Sequence, residues 1–249
     1  MKKHKKDIII LIVCLAILVA LVSIGFKTSD LEPEPTIADL QTQAWPSEKL
    51  EDIKVSEKTE HYDINAVYPK TNSDIITNYF KSYVENQIVT FKEDTSWVNE
   101  IQSASSASLT LDINYSFVGS DNVQNYIFST ASYTGGAHGL QFRKTFSFNK
   151  EGQLLTLSNI FFNGLDDLNA FSTLVQKELS KRSDVNQEWL SDGAGPNPEN
   201  YQSFVVTDQG ITVLFDPYQV ASYASGNIDI SIPTSSFSKI ANPEIFSTQ

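Results

Sequence analysis

Apolar and polar residues alternate most cleanly in LTLDINYSFVG, which puts Leu109, Leu111, Ile113, Tyr115 and Phe117 on one side of a strand with a single buried face. NYIFSTASYT follows and runs into GGAHG, after which Leu140, Phe142, Phe146 and Phe148 lie among polar residues in LQFRKTFSFN. These segments predict three antiparallel strands, with a turn at Asn149–Gly152 and a further strand in QLLTL. Earlier, HYDINAVYP gives a short strand with Tyr62, Ile64 and Ala66 on one face, ended by Pro69. Later, FVVTDQGITVLF reads as a hairpin turning at Asp208-Gln209-Gly210, and NIDISIP as a last strand ending at Pro233.

Two stretches follow the helical period instead. Ile76, Phe80, Tyr83 or Val84, Ile88 and Phe91 predict a helix over about 73–92, capped by Asn72 or Ser73. Leu168, Phe171, Val175 and Leu179 form the stripe of a second helix starting near Leu165, with Lys177, Lys181 and Arg182 where the helix dipole favours cations. SDGAGPNPEN, residues 191–200, reads as a loop. Strands joined by short hairpins and helices in blocks give an α+β class: antiparallel sheet(s) with packed helices, preceded by one N-terminal transmembrane helix and without a parallel βαβ core.

That transmembrane expectation rests on Ile8–Phe26, nineteen uncharged residues of which fourteen are Ile, Leu, Val or Phe. As a helix the run is about 28 Å long, which matches a bilayer core, and its insertion is worth about −4 to −8 kcal/mol. Lys2, Lys3, Lys5 and Lys6 precede it, while Asp30, Glu32 and Glu34 follow, so the positive-inside rule places the N-terminus in the cytoplasm. The expected topology is single-pass in the cell membrane, with a cytoplasmic tail at 1–7, a signal anchor at 8–26 and the bulk of the chain extracytoplasmic. The alternative is a cleaved signal peptide, since Ser23 and Gly25 are small residues at suitable spacing. Residues 27–52 carry Pro33, Pro35 and Pro46 among acidic residues and read as a flexible linker.

Composition limits the chemistry. Cys14 is the only cysteine, so the exported region has no disulfide and relies on its core. Outside 1–26 the chain has 14 basic and 29 acidic residues, a net of −15, which disfavours nucleic acid and anionic lipid and suits a cationic partner. The three histidines, His4, His61 and His138, show no metal-ligand spacing, and there is no nucleophile elbow or phosphate loop. The residues therefore predict no metal, no cofactor and no catalytic residue.

Two segments stand out as binding candidates. YTGGAHG holds Tyr133, Gly135, Gly136, His138 and Gly139, where glycines let the backbone turn sharply around one imidazole. FDPYQVASYASG holds Tyr218 and Tyr223, tyrosines suited either to packing or to an interface. For YTGGAHG the readings are a structural turn, a ligand-contacting loop or catalysis through His138.

SYTGGAHG, FSFNKEGQLLTLSNIF and FVVTDQGITVLFDPYQVASYASGNIDISIP, in that order, resemble the extracytoplasmic domain of the RsiV-type anti-sigma factors, found also in membrane-anchored peptidoglycan deacetylases. YDINAVYPKTNSDIITNYFKSYVENQIVTF is similar to the small domain that commonly precedes it. The resemblance implies a small α+β domain at 53–105 and an RsiV-like α+β domain at 106–249. It also implies a non-enzymatic binding or sensing module whose partner is a cationic protein such as lysozyme, or peptidoglycan. The competing expectation is a cell-envelope hydrolase or deacetylase, or an accessory subunit of one, with His138 as the participant.

Overall fold

The first helix runs Asp74–Asp94 (α1) in the computed structural model, which describes residues 50–97, 109–120 and 122–246. Ser73 Oγ accepts from the Ile76 N–H at 3.2 Å and so satisfies one of the donors that the first turn leaves orphaned. Ile76, Phe80, Val84 and Phe91 form its buried stripe.

This stripe lies on a six-stranded sheet in the order β1 (Glu51–Lys58), β2 (Tyr62–Lys70), β3 (Leu109–Gly119), β4 (Val123–Tyr133), β5 (Leu140–Asn149) and β6 (Leu154–Leu155). Phe80 is the centre of the contact, with the rings of Tyr126, Phe128, Phe146 and Phe148 4.7, 5.3, 5.9 and 6.0 Å from its own. Ile64, Ala66, Leu109, Leu111 and Ile113 complete this core.

One pairing departs from expectation. β2 and β3 are parallel, with Tyr62 beside Leu109 and Ala66 beside Ile113, so a βαβ unit is present where none was expected. The cause is the length of α1: 21 residues at about 1.5 Å each carry the chain back along the sheet, so β3 starts at the same end as β2. The other pairs in this sheet are antiparallel. β1 begins at Glu51, two residues inside the expected linker, and the sheet is continuous across the expected boundary at 105/106.

A second sheet holds β7 (Phe204–Thr207), β8 (Gly210–Phe215) and β9 (Ile228–Pro233), all antiparallel. Leu168–Leu179 (α2) buries Leu168, Phe171, Val175 and Leu179 against it, in a core shared with Tyr201, Phe215 and Phe237.

Polar side chains join the two sheets. Asn125 Nδ2 donates to Val206 O and Val118 O, both at 2.8 Å, and its Oδ1 accepts from Val206 N–H at 2.9 Å and from Ser147 Oγ at 2.8 Å. Thr145 Oγ1 accepts from Phe204 N–H at 2.9 Å. β7 is an edge strand, and these side chains satisfy backbone groups that a further strand would otherwise take.

Among the described residues no helix is long and apolar enough to cross a membrane. The expected anchor 8–26, the tail 1–7, linker residues 27–49 and the polar stretch 98–108 lie outside them.

Candidate functional site

The tip of the β4–β5 hairpin and the segment between β8 and β9 each carry one of the two candidate motifs, and the fold brings them into contact. The His138 imidazole stacks on the Tyr223 ring, with centroids 4.2 Å apart and planes 26° apart. Tyr218 lies alongside, 5.7 Å from Tyr223 between centroids. Its hydroxyl is 3.4 Å from His138 Nε2.

Glycine backbones make the hairpin tip possible. Gly135 and Gly136 have φ of 96° and 116°, conformations that side-chain-bearing residues rarely adopt. A Cβ on Gly139 would lie 2.8 Å from Ser132 O, so the hairpin can close there only without one. Tyr133 Oη donates to Gly136 O at 3.0 Å and ties the tip to the end of β4.

The Gly139 carbonyl links the two segments. It accepts from Tyr223 Oη at 3.0 Å and from His138 Nδ1–H at 2.9 Å. Because a carbonyl only accepts, the Nδ1 tautomer is favoured, leaving Nε2 of the neutral ring as an acceptor towards Tyr218 Oη. The other loop is held under strain. Tyr218, 52 % exposed, has φ of 72°, the single positive value for a non-glycine among the described residues. That conformation costs about 1–2 kcal/mol. A hydrogen bond from Tyr218 N–H to Ala221 O at 3.0 Å closes the turn.

An ion-pair cluster anchors this loop where it leaves β8. Asp216 accepts from the Arg143 backbone N–H with both carboxylate oxygens, at 3.0 and 3.2 Å. Arg143 Nη2 donates to Phe215 O at 3.1 Å, and Nη1 lies 2.7 Å from Asp229 Oδ1. Burial pushes the Asp216 carboxyl up from its ordinary range; the Arg143 amide and guanidinium oppose the shift and Asp229 adds to it.

Of the seven expected residues, His138, Gly139, Tyr218 and Tyr223 meet in one cluster, while Tyr133, Gly135 and Gly136 shape the hairpin tip that carries His138. Sequence reasoning missed Trp97, 41 % exposed, whose Cζ2 is 3.1 Å from where a Gly135 Cβ would stand. It also missed Arg143, Asp216 and Asp229. An arginine amid a strand's polar positions, Arg143 in LQFRKTFSFN, was the one available signal.

Chemically, the surface offers flat aromatic faces beside hydroxyl and imidazole groups. Among the described residues His138 hydrogen-bonds only Gly139 and Tyr218, so no serine, cysteine or carboxylate pairs with it. No group of three or more His, Cys, Asp or Glu is arranged to hold a metal ion among the described residues.

The chain is 26 % identical over 232 residues, 92 % of its length, to the peptidoglycan-N-acetylmuramic acid deacetylase PdaC of Bacillus subtilis, and it covers 48 % of that protein. It is 27 % identical over 108 residues to the esterase Rv3036c of Mycobacterium tuberculosis, covering 43 % of this chain and 47 % of the relative. It therefore spans about half the length of these curated relatives. A DUF3298-family crystal structure from Bacteroides fragilis superposes with a TM-score of 0.56 at 19 % identity, over 82 % of this chain and 98 % of that one. Residues 158–235 match the family model described as a protein of unknown function (DUF3298), a stretch that contains Tyr218 and Tyr223 and stops short of His138. The DUF3298 match is thus to one segment of the chain, and the aromatic surface is completed by a hairpin that lies outside it.

Proposed function

We propose that the surface of His138, Tyr218 and Tyr223 binds a cell-wall glycan, and that the chain is a membrane-tethered, extracytoplasmic binding module without catalytic activity of its own. The observation that carries this reading is the stacking of His138 on Tyr223 beside a strained, solvent-facing Tyr218. Sugar rings present apolar C–H faces that pack on aromatic rings, while their hydroxyls find partners in Tyr218 Oη and His138 Nε2. Similarity to a peptidoglycan deacetylase over nearly the whole chain supports an envelope setting. The test is co-sedimentation of the full chain with purified peptidoglycan. Retention by the parent and loss by Tyr218→Ala support the reading, and equal behaviour of the two sinks it.

A second reading, favoured by the formal net charge of −12 and by the RsiV-type resemblance, is capture of a cationic protein such as lysozyme. Such binding weakens as salt screens the exposed charges. A third, favoured by the deacetylase and esterase names of the relatives, is an envelope hydrolase, a deacetylase or an accessory subunit of one. Acetate or fragments released from peptidoglycan by the purified chain, and abolished by His138→Ala, establish it in place of the first.

A further inference from the structure

Away from this surface, a cavity of about 300 Å³ opens beside β5, between the 154–158 segment and residues 198–204. Tyr79, Phe146, Leu155, Leu157 and Phe204 give it largely apolar walls. Leu165, 46 % exposed, adds an apolar residue to its lining. The volume is at the lower end of that of small-molecule sites, enough for about ten to fifteen non-hydrogen atoms.

The one cation among its lining residues is Lys144, two positions from Phe146 and so on the same face of β5. Its situation is unlike that of the other described lysines. Lys58, Lys70, Lys81, Lys92 and Lys181 are ion-paired. Lys54, Lys150, Lys177 and Lys239 are exposed to water. Lys144 is half-buried and, among the described residues, has neither an ion pair nor a side-chain hydrogen bond. Burial holds its amine below the usual lysine range, while the Glu199 carboxylate, on an exposed residue of the lining, opposes that shift. Glu199 is itself engaged by Gln202 Nε2. A withdrawn amine with no carboxylate in direct contact, set among apolar walls, is complementary to a ligand with one negative group on an apolar body.

We propose that this cavity binds a small amphipathic monoanion, with its carboxylate on Lys144 Nζ and its apolar body against Phe146, Leu155 and Phe204. Two sources share this chemistry, a free organic acid and the C-terminal residue of a peptide. The site is separate from the His138 surface and stands or falls independently of the glycan reading.

The test uses the full chain in lipid nanodiscs, labelled with trinitrobenzenesulfonate and read lysine by lysine by mass spectrometry. At saturation, 4-phenylbutyrate slows labelling of Lys144 by about fivefold or more and leaves exposed Lys177 unchanged, as occupancy of a single site requires. The uncharged analogue 4-phenylbutanol does not slow it. Protection by 4-phenylbutyrate assigns the site to a free acid, and protection by N-acetylphenylalanine alone assigns it to a peptide terminus. A second measurement covers the case in which Lys144 labels too slowly to follow: the effective acid raises the melting temperature of the parent by about 2–4 °C and that of Lys144→Met not at all. Equal protection by acid and alcohol overturns the proposal. So does a melting shift that survives Lys144→Met, or the absence of both effects.

Discussion

His138 and Tyr223 stack at 4.2 Å although one lies on the β4–β5 hairpin and the other between β8 and β9. Both reach the same acceptor, the Gly139 carbonyl, so the contact is held by hydrogen bonds as well as by ring faces. The stack therefore depends on the hairpin tip keeping its glycine-only backbone.

Substitution at Gly139 tests that dependence. A methyl group at this position meets Ser132 O at 2.8 Å, and the neighbour is backbone that cannot swing aside. Gly139→Ala is expected to cost about 1–3 kcal/mol and to disturb the stack. Urea unfolding gives the stability, and near-ultraviolet circular dichroism reports the tyrosines. An unchanged midpoint counts against a closed hairpin of this geometry.

The His138 side chain itself is exposed, so its loss leaves the core intact and alters mainly the surface. His138→Ala is expected to lower stability by about 1 kcal/mol or less, the worth of one aromatic pair, and to weaken glycan binding. Thermal melting and peptidoglycan retention, measured on the same preparation, separate the two effects. A large fall in melting temperature with binding intact contradicts the assignment.

Asn125 carries the junction between the sheets. It is fully buried and satisfies both Val206 N–H and Val206 O, which lose their partners in Asn125→Ala. The expected cost is about 2–4 kcal/mol, since buried backbone groups are left unpaired. Denaturant titration measures it, and a cost below that of an ordinary surface substitution refutes the side-chain bridge.

Asp216 gives a pH dependence with a definite sign. Its carboxyl is raised in the folded chain by burial, so the folded state holds this proton more tightly than the unfolded one. The resulting stability is fully present below the unfolded carboxylate value of about 3.9 and is lost as pH rises through the folded value. Asp216→Asn, which can still accept from the Arg143 N–H, removes this dependence. The stability of the parent relative to the variant is expected to fall as pH rises above about 4. Denaturant midpoints across that range decide it, and a constant or rising difference contradicts the raised carboxyl.

Much of this architecture is legible in the pattern of residues, because burial on one face leaves a periodic trace. β3 occupies the segment where alternation is unbroken, and Leu109, Leu111 and Ile113 are buried as expected. Phe117 is 43 % exposed because it packs at the sheet margin on Tyr126, 5.2 Å away. β1 left little trace, since only Ile53 and Val55 of its eight residues are partly buried. The polar residues of β4 and β5 break the usual pattern for a physical reason. Asn125 and Thr145 are polar yet buried because they bond to the other sheet instead of to water, and Ser147 because it donates to Asn125. The site was legible as two unusual loops. Their meeting was not, since neither the stack nor the Arg143–Asp216 anchor leaves a local pattern in either segment.

Calorimetric titration of the full chain with soluble peptidoglycan glycan fragments, parent against Tyr218→Ala, bears most directly on the His138–Tyr218–Tyr223 surface. Saturable binding by the parent, weakened about tenfold or more in a variant of unchanged melting temperature, is the expected result, equivalent to about 1.4 kcal/mol. Equal affinity of the two proteins, or no binding by either, contradicts the assignment of this surface to the cell wall.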